Sequence, residues 1–437
     1  MKNVILSIEL PLREGCAKAA LSIKLAEYGF RVYLMPDYLV PYLCLSNAVL
    51  VTKNEEQAKR IIGDKGNGFL IIDYQEEGTS TLRDEESRRS WVLKTAMRMA
   101  PYSRVHCVWG KWQEILHKSA GHLSCEIVGS IHVDICKREY ASLLNRSTEK
   151  VLGNFTDFIL INTRFCIVNN IDEKFDEIIG GSYFPAEDDR FSISDCRALI
   201  RDDLLGIAKF LKMVESISVA FPNKIFVLRP HPNESCKFYS QAFKDLNNVI
   251  VRNDGFVLHW IKRASMVITN GCTTALQAAA YGTPVIDYDS VNESTQATVF
   301  DGIGEKCSDA TEIINAIQEF ELRKASWKNR YNDFDELGTF SLEKRSLESL
   351  AEIVKSQADT LHDDGSYIED EVFRLKVLLK CFVGRFRSRG NSTVNKVYKE
   401  FDILEDYLFD FRSISSIDVT WRNIANRCFI VQPTRSR

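Results

Sequence analysis

The residues best suited to chemistry sit in short polar clusters, each directly after an apolar run. The clearest is Thr269-Asn270-Gly271-Cys272-Thr273-Thr274, which leads into Ala275-Leu276-Gln277-Ala278-Ala279-Ala280-Tyr281-Gly282. Gly271 permits a tight turn there, and Thr273 or Thr274 can cap the helix that follows. Unpaired N–H groups of that first turn, with hydroxyls beside them, suit a nucleotide phosphate. The same letters also describe a capped helix with no ligand. A second cluster is Arg229-Pro230-His231-Pro232. Two prolines restrict the backbone around His231, and a rigid His beside Arg229 suits phosphate binding or proton donation to a departing phosphate. The plainer alternative is a turn histidine bonded to the backbone.

Three further clusters are less specific. Glu76-Glu77-Gly78 could offer one carboxylate as a general base while the other holds structure. Asn162, Thr163 and Arg164 follow another apolar run, and Arg13-Glu14 follows the first. That last pair reads as a surface ion pair or a substrate contact. Asp287-Tyr288-Asp289 superficially resembles a metal-binding carboxylate pair, but no third ligand is in view, so an ordinary loop is expected and no metal.

What places these clusters is an alternation of strands and helices. The runs 4–10, 31–35, 68–74, 103–109 and 124–129 read as strands, with helices at 17–29, 54–62 and 114–121 between them. Gly29 stands where a helix C′ residue belongs. Residues 136–154 form a charged helical stretch without a strand. The alternation then restarts with strands at 157–162, 224–228, 248–252, 265–269 and 284–288 and a long helix near 196–221. Strands alternating with helices argue for parallel sheets, in which ligands bind beyond the carboxyl ends of the strands. Five polar clusters on that edge are the strongest purely physical signal. The expected organisation is a first α/β domain over 1–150, a second over 151–360 and a helical, basic extension over 361–437.

At 437 residues, 45% apolar and 27% charged, the chain has an ordinary globular balance. A net charge of −4, from 56 basic and 60 acidic residues, argues against wholesale nucleic-acid binding. Twelve cysteines at irregular intervals, with no Cys-x-x-Cys, fit a reducing compartment better than a disulfide framework. The first apolar run is short and carries Glu9, unlike a signal peptide, and no run is long enough to span a membrane. A cytoplasmic location is expected, with at most peripheral contact with a membrane.

Several of these segments, taken in order, resemble the bacterial surface carbohydrate (surface polysaccharide) biosynthesis protein family. They are ELPLREGCAKAALSIKLAEYGFRVYL, the EEG triplet, VWGKWQEIL, ILINTRF, RPHPNE and TNGCTTALQAAAYGTPVIDY, spread over about residues 4 to 290. The same features are similar to the motifs of GT-B sialyl- and Kdo-type transferases: an acidic-acidic-Gly triplet, a His-Pro pair and a Ser/Thr pair. The resemblance implies a GT-B-like α/β fold, two doubly wound Rossmann-like domains facing a cleft. It implies transfer of an acidic ulosonic sugar from a CMP-linked donor to a glycan or lipid-linked acceptor, with no cofactor beyond that nucleotide sugar. Glu77, or its neighbour Glu76, would activate the acceptor. His231-Pro232 would bind the donor phosphate and assist its departure, and Thr273 and Thr274 would clasp it. Arg229, Asn162, Thr163, Asn270 and Gly271 would complete the donor site, and Arg13 and Glu14 would meet or support the acceptor. Where the family has a Gly-Asn-Pro-Arg-like turn, this chain reads Gly129-Ser130-Ile131-His132, with Asp134 retained.

Two other chemistries share such a fold, transfer of a polyol phosphate from a CDP-linked donor and epimerisation of a UDP-sugar. A non-enzymatic nucleotide-binding scaffold is a further alternative. The resemblance does not cover the tail. From Val372 to Lys399 there is no Asp or Glu, while eight basic residues from Arg374 to Lys399 alternate with Phe373, Leu375, Phe382 and Phe386. Such a mix could lie on an anionic lipid surface, or pack its apolar side on the body of the protein.

Overall fold

The computed structural model describes residues 1–43, 45, 47–62, 68–76, 85–119, 121, 124–170, 193–291, 303–323, 345–362, 373, 403–425 and 428–434. In the first unit, β1 (Asn3–Ile8) runs through a π-type turn (Pro11–Gly15) into α1 (Cys16–Glu27). There follow β2 (Arg31–Pro36), β3 (Ala48–Thr52), α2 (Glu55–Ile62), β4 (Leu70–Tyr74) and α3 (Glu85–Met99). β5 (Val105–Val108), α4 (Lys111–Ser119) and β6 (Cys125–Ile127) complete the alternation. Three short helices, α5 (Ile131–Asp134), α6 (Arg138–Ala141) and α7 (Asn145–Leu152), lead out of it. Gly29 ends the first helix at φ 88°, as its position in the sequence requires.

The second unit begins with β7 (Phe158–Asn162), then α8 (Ile193–Ala220), β8 (Ile225–Arg229), α9 (Cys236–Ala242) and β9 (Val249–Val251). α10 (Val257–Ile261), β10 (Ala264–Thr269), α11 (Thr274–Tyr281), β11 (Val285–Tyr288), β12 (Glu305–Cys307) and α12 (Ala310–Arg323) follow. Its six strands are parallel in the order β12-β11-β10-β7-β8-β9. The first sheet has the order β13-β14-β2-β1-β3-β4-β5-β6, parallel from β2 to β6. These are two Rossmann-like α/β sheets, as expected, and each changes direction of strand order once, between β1 and β3 and between β7 and β10.

Sequence patterning misses several parts of this, among them α3 (Glu85–Met99), whose stretch reads only as polar. Ala48–Thr52 is buried along its length, yet it follows the apolar stretch Tyr38 to Leu45 with little polar boundary, so no strand stands out. α13 (Ser346–Asp359) closes the stretch before residue 361, and the extension beyond it, expected to be helical, contains α14 (Leu404–Phe411). It then forms a hairpin of β13 (Val419–Ala425) and β14 (Cys428–Pro433). β14 pairs antiparallel with β2, Ile430 opposite Tyr33, and so extends the first sheet. α13 and α14 both pack on α1. Of the basic tail, only Phe373 is described; it is fully buried in the core of the first unit, and the rest of 372–399 lies outside the described residues.

One apolar core runs beneath α1, the linking helices, α10, α11 and the face of β7 and β10, so the two units share it. A polar interlock crosses the same junction. Asp410 on α14 accepts from the backbone N–H groups of Arg146 and Ser147 (3.2 and 3.0 Å) and from the Ser147 hydroxyl (2.6 Å), capping α7 from another helix. His259 on α10 reaches the same Ser147 Oγ through Nε2 at 3.1 Å. Since that hydroxyl donates to Asp410, the imidazole donates to it, which sets a neutral Nε2–H ring. Burial, then the charges of Lys262 and Arg229, pushes the His259 pKa down to about 3.

A histidine protonated when unfolded but neutral when folded makes stability fall as pH drops below the unfolded pKa near 6.5. Between pH 7 and 5 this group should remove about 2 kcal/mol. His259→Gln keeps an amide donor for Ser147 and carries no titration. Urea unfolding of the variant should show a correspondingly shallower acid-side loss than the parent protein.

Candidate functional site

The second sheet's reversal point lies between β7 and β10, and the loops leaving these strands form a crevice. Asn162 ends β7, and its Nδ2 donates to Thr274 Oγ1 at 3.2 Å. Gly271 follows β10 at φ 73°, a backbone region that favours glycine, and its N–H donates to Asp287 Oδ1 at 3.0 Å. Asp287 is thereby committed to the turn, and Asp289 pairs with Lys306 at 3.2 Å. Arg164 Nη1 donates to the Gly271 carbonyl at 3.2 Å, which brings a guanidinium to the mouth of the crevice.

The start of α11 differs from expectation in one respect. Thr273 has helical backbone angles (φ −54°, ψ −18°), and its side chain makes no capping bond. Its exposed hydroxyl makes no cap, and the first-turn N–H groups lack a side-chain partner, although the Ala275 N–H donates to the Cys272 carbonyl at 2.9 Å. Beside them, Asn162 Oδ1 and Asn270 Oδ1 are buried and find no hydrogen-bond partner among the described residues. Leaving such an atom unmet costs about 1–3 kcal/mol, so two together with an open helix start mark a place shaped for a ligand.

His231 sits half-buried at the same edge. Its Nδ1 accepts from the Asn233 N–H (3.2 Å) and lies 3.1 Å from Cys166 Sγ. Burial pushes the Cys166 thiol well up, so it stays protonated. With Nδ1 occupied as an acceptor, the neutral ring carries its proton on Nε2. Pro232 is half-buried in the same turn.

Two expected donor-site residues turn elsewhere. Arg229 is 4% exposed, donates through Nη2 to the Gly255 carbonyl at 2.7 Å, and has its pKa lowered to about 10 by burial. It braces the turn before α10. Thr163 is buried and donates to both oxygens of Glu234 (2.8 and 2.9 Å), which also accepts from the Phe165 N–H (2.9 Å) and Tyr239 OH (2.6 Å). Burial pushes the Glu234 pKa up to about 7 against these donors. Glu234 locks the 163–165 loop to the His231 turn, a role hidden in a sequence where Asn233-Glu234 reads as an exposed turn. The cation beside the crevice is Arg164 rather than Arg229.

The first unit supplies an ion cluster at its own reversal point. Lys18 Nζ meets Glu14 (2.9 Å), Glu76 (2.7 Å) and the Ser7 carbonyl (2.6 Å). Lys53 Nζ meets Glu14 (2.8 Å) and Glu9 (2.5 Å). Glu14 is fully buried and supports the lysines, while Arg13 is half-buried in the preceding turn. Burial disfavours the Glu76 charge, but Lys18, His132 and Lys53 outweigh it and hold the carboxyl below the usual range. Glu77 and Gly78 lie outside the described residues. His132, not foreseen as a site residue, places Nε2 3.8 Å from Glu76 Oε2. Its carbonyl accepts from Gln277 Nε2 at 3.4 Å, so α11 joins the two half-sites. Among the described residues no group of three or more His, Cys, Asp or Glu could hold a metal ion.

Neither a family model nor a curated protein matches this sequence. Solved structures do match in shape. UDP-GlcNAc 2-epimerase of Methanocaldococcus jannaschii, solved with UDP-GlcNAc and UDP, is 12% identical over 82% of this chain and all of its own, at a TM-score of 0.46. The Neisseria meningitidis enzyme bound to UDP-GlcNAc is 11% identical with the same coverage, at 0.48. The wall teichoic acid polymerase TagF is 9% identical over 72% of this chain and 73% of its own, at 0.43. At such identities and scores they carry no argument about chemistry, and the fold stands on its own strand order.

Thr163→Val should lower unfolding stability by about 1–3 kcal/mol, because it takes a donor from buried Glu234. Thr273→Val, on the exposed hydroxyl at the helix start, should cost clearly less. Urea midpoints of the two variants measured side by side check the assignment of Thr163 to the framework.

Proposed function

We propose that this chain is a glycosyltransferase of surface polysaccharide assembly, moving an acidic ulosonic sugar from a CMP-linked donor to a glycan or lipid-linked acceptor. The observation that carries the transferase reading is the α11 start without a side-chain cap, with His231 at the same sheet edge and two amide oxygens beside it that can accept from sugar or ribose hydroxyls. The order of the Glu-Glu-Gly, His-Pro and Thr-Thr motifs supports the choice of CMP. The donor phosphate binds the first-turn N–H groups, the hydroxyls of Thr273 and Thr274, and Arg164. As the bond from sugar to phosphate breaks, negative charge gathers on the phosphate. The helix dipole and Arg164 stabilise it, and His231 Nε2–H donates to it. The acceptor enters from the first unit. Glu76, held ionised by Lys18, is a weak base, so Glu77 takes the acceptor proton.

Calorimetry against CMP, CDP, UDP and GDP should show selective CMP binding, weakened about tenfold by Thr274→Ala and by His231→Ala. Selectivity for UDP or CDP would replace the donor, and no nucleotide binding at all would leave a scaffold. Glu77→Gln should cost about 10² to 10⁴ in turnover and keep CMP affinity.

Among the described residues no helix is long and apolar enough to cross a membrane. We propose that the basic stretch 372–399 holds the protein beside a lipid-linked acceptor through anionic headgroups. Cutting the chain before Val372 would remove α14 and the hairpin that completes the first sheet, so substitution is the cleaner test. Arg385→Gln, Arg387→Gln and Arg389→Gln together should weaken salt-sensitive sedimentation with anionic liposomes about a hundredfold, at ~1 kcal/mol per charge. Unchanged sedimentation would remove the membrane contact.

A further inference from the structure

We propose that Glu76 and His132 form a subsite that receives one hydroxyl of a neutral sugar or polyol. The proposal rests on the acceptor half of the reading above. Its starting point is a pair of unmet groups. Glu76 uses Oε1 on Lys18, while its Oε2 has no hydrogen-bond partner among the described residues. His132 is 7% exposed, and neither ring nitrogen has a partner there. These atoms face each other, Nε2 to Oε2, at 3.8 Å, too far for a direct hydrogen bond.

That separation fits a third atom. An oxygen about 2.8 Å from both would close a triangle with roughly 85° at its apex. A hydroxyl placed there donates its proton to Glu76 Oε2 and accepts from His132 Nε2–H, so both orphans are met by one group. The surroundings choose its charge. An anion would face the Glu76 carboxylate, and a cation would face Lys18 and Lys53. A neutral hydroxyl meets neither objection. Glu76, kept ionised by its lysine, acts there as a hydrogen-bond acceptor and takes no proton.

Both orphaned atoms are closed to water in this conformation. α11 packs on α5, the helix that carries His132, and Gln277 reaches the His132 carbonyl across that contact. A hydroxyl reaches these atoms only when the packing around them opens.

The test uses the full-length protein with histidine labelled at Cε1, observed by proton–carbon NMR, the His132 signal being assigned with His132→Gln. Glycerol, galactose and N-acetylglucosamine are titrated with and without CMP, with sulfate at matched ionic strength as a control. The His132 signal should shift saturably with the polyols and stay fixed with sulfate. In Glu76→Gln, Lys18 retains the amide oxygen and an NH2 replaces the free acceptor, so polyol binding should weaken at least about tenfold. A His132 signal that is fixed with every polyol, or that moves equally with sulfate, overturns the subsite. If His231 meanwhile responds to CMP, the nucleotide reading survives that failure. If His231 is fixed with every nucleotide while His132 follows the polyols, the subsite stands and the donor reading falls.

Discussion

Lys18 gathers the loose ends of the first sheet. Its ammonium bonds the carbonyl of Ser7 near the end of β1, Glu14 in the turn that follows, and Glu76 beyond β4. Taking such a charge out of water costs several kcal/mol, and only well-placed oxygens offset it. Three strand-end segments are therefore held to one point, because any that moved away would leave a buried charge short of partners. Glu14 in turn holds Lys53 after β3, so the cluster spans the reversal point of the sheet. Glu76 is left buried, with one oxygen held by Lys18 and the other facing His132 without a hydrogen-bond partner among the described residues.

The second sheet solves the same problem without a central cation. Its loops are tied by neutral and backbone bonds: Asn162 to Thr274, Arg164 to Gly271, Asp287 to the Gly271 N–H. Glu234 is the buried knot behind them, collecting Thr163, Phe165 and Tyr239. What remains is a helix start without a side-chain cap, which suits an anion, and two amide oxygens without partners among the described residues, which suit hydroxyls. The contrast suits the roles proposed. A rigid ionic wall presents a carboxylate, and a wall of dipoles and hydroxyls receives a phosphate.

The junction between the halves is built from distant parts of the chain. α14, near the C-terminus, caps α7 through Asp410, and α10 reaches the same serine through His259. The hairpin after α14 then adds β14 to β2. A segment that could pass for an appendage is thus part of the first sheet and of the core that both units share.

The alternation of strands and helices was legible in the sequence because it rests on local periodicity: β1, β7, β8 and β10 are apolar runs, and a run buried on both faces needs no distant partner to be recognised. The polar clusters at their carboxyl ends were legible for the same reason, since a parallel sheet brings those ends to one edge wherever the strands fall. Which side chains of each cluster face the cleft was not. Thr163 and Arg229 have the right types and the right positions, but a buried carboxylate and a backbone carbonyl elsewhere in the chain claim them. His132 stands in the turn that departs from the family pattern, but its role was not legible there, because its meaning lies in a carboxylate after β4 and a helix of the other unit. The strand β14 was hidden likewise, its partner lying almost the whole chain away. Local pattern determines elements and edges; direction and partnership depend on what lies across the gap, and only folding brings that there.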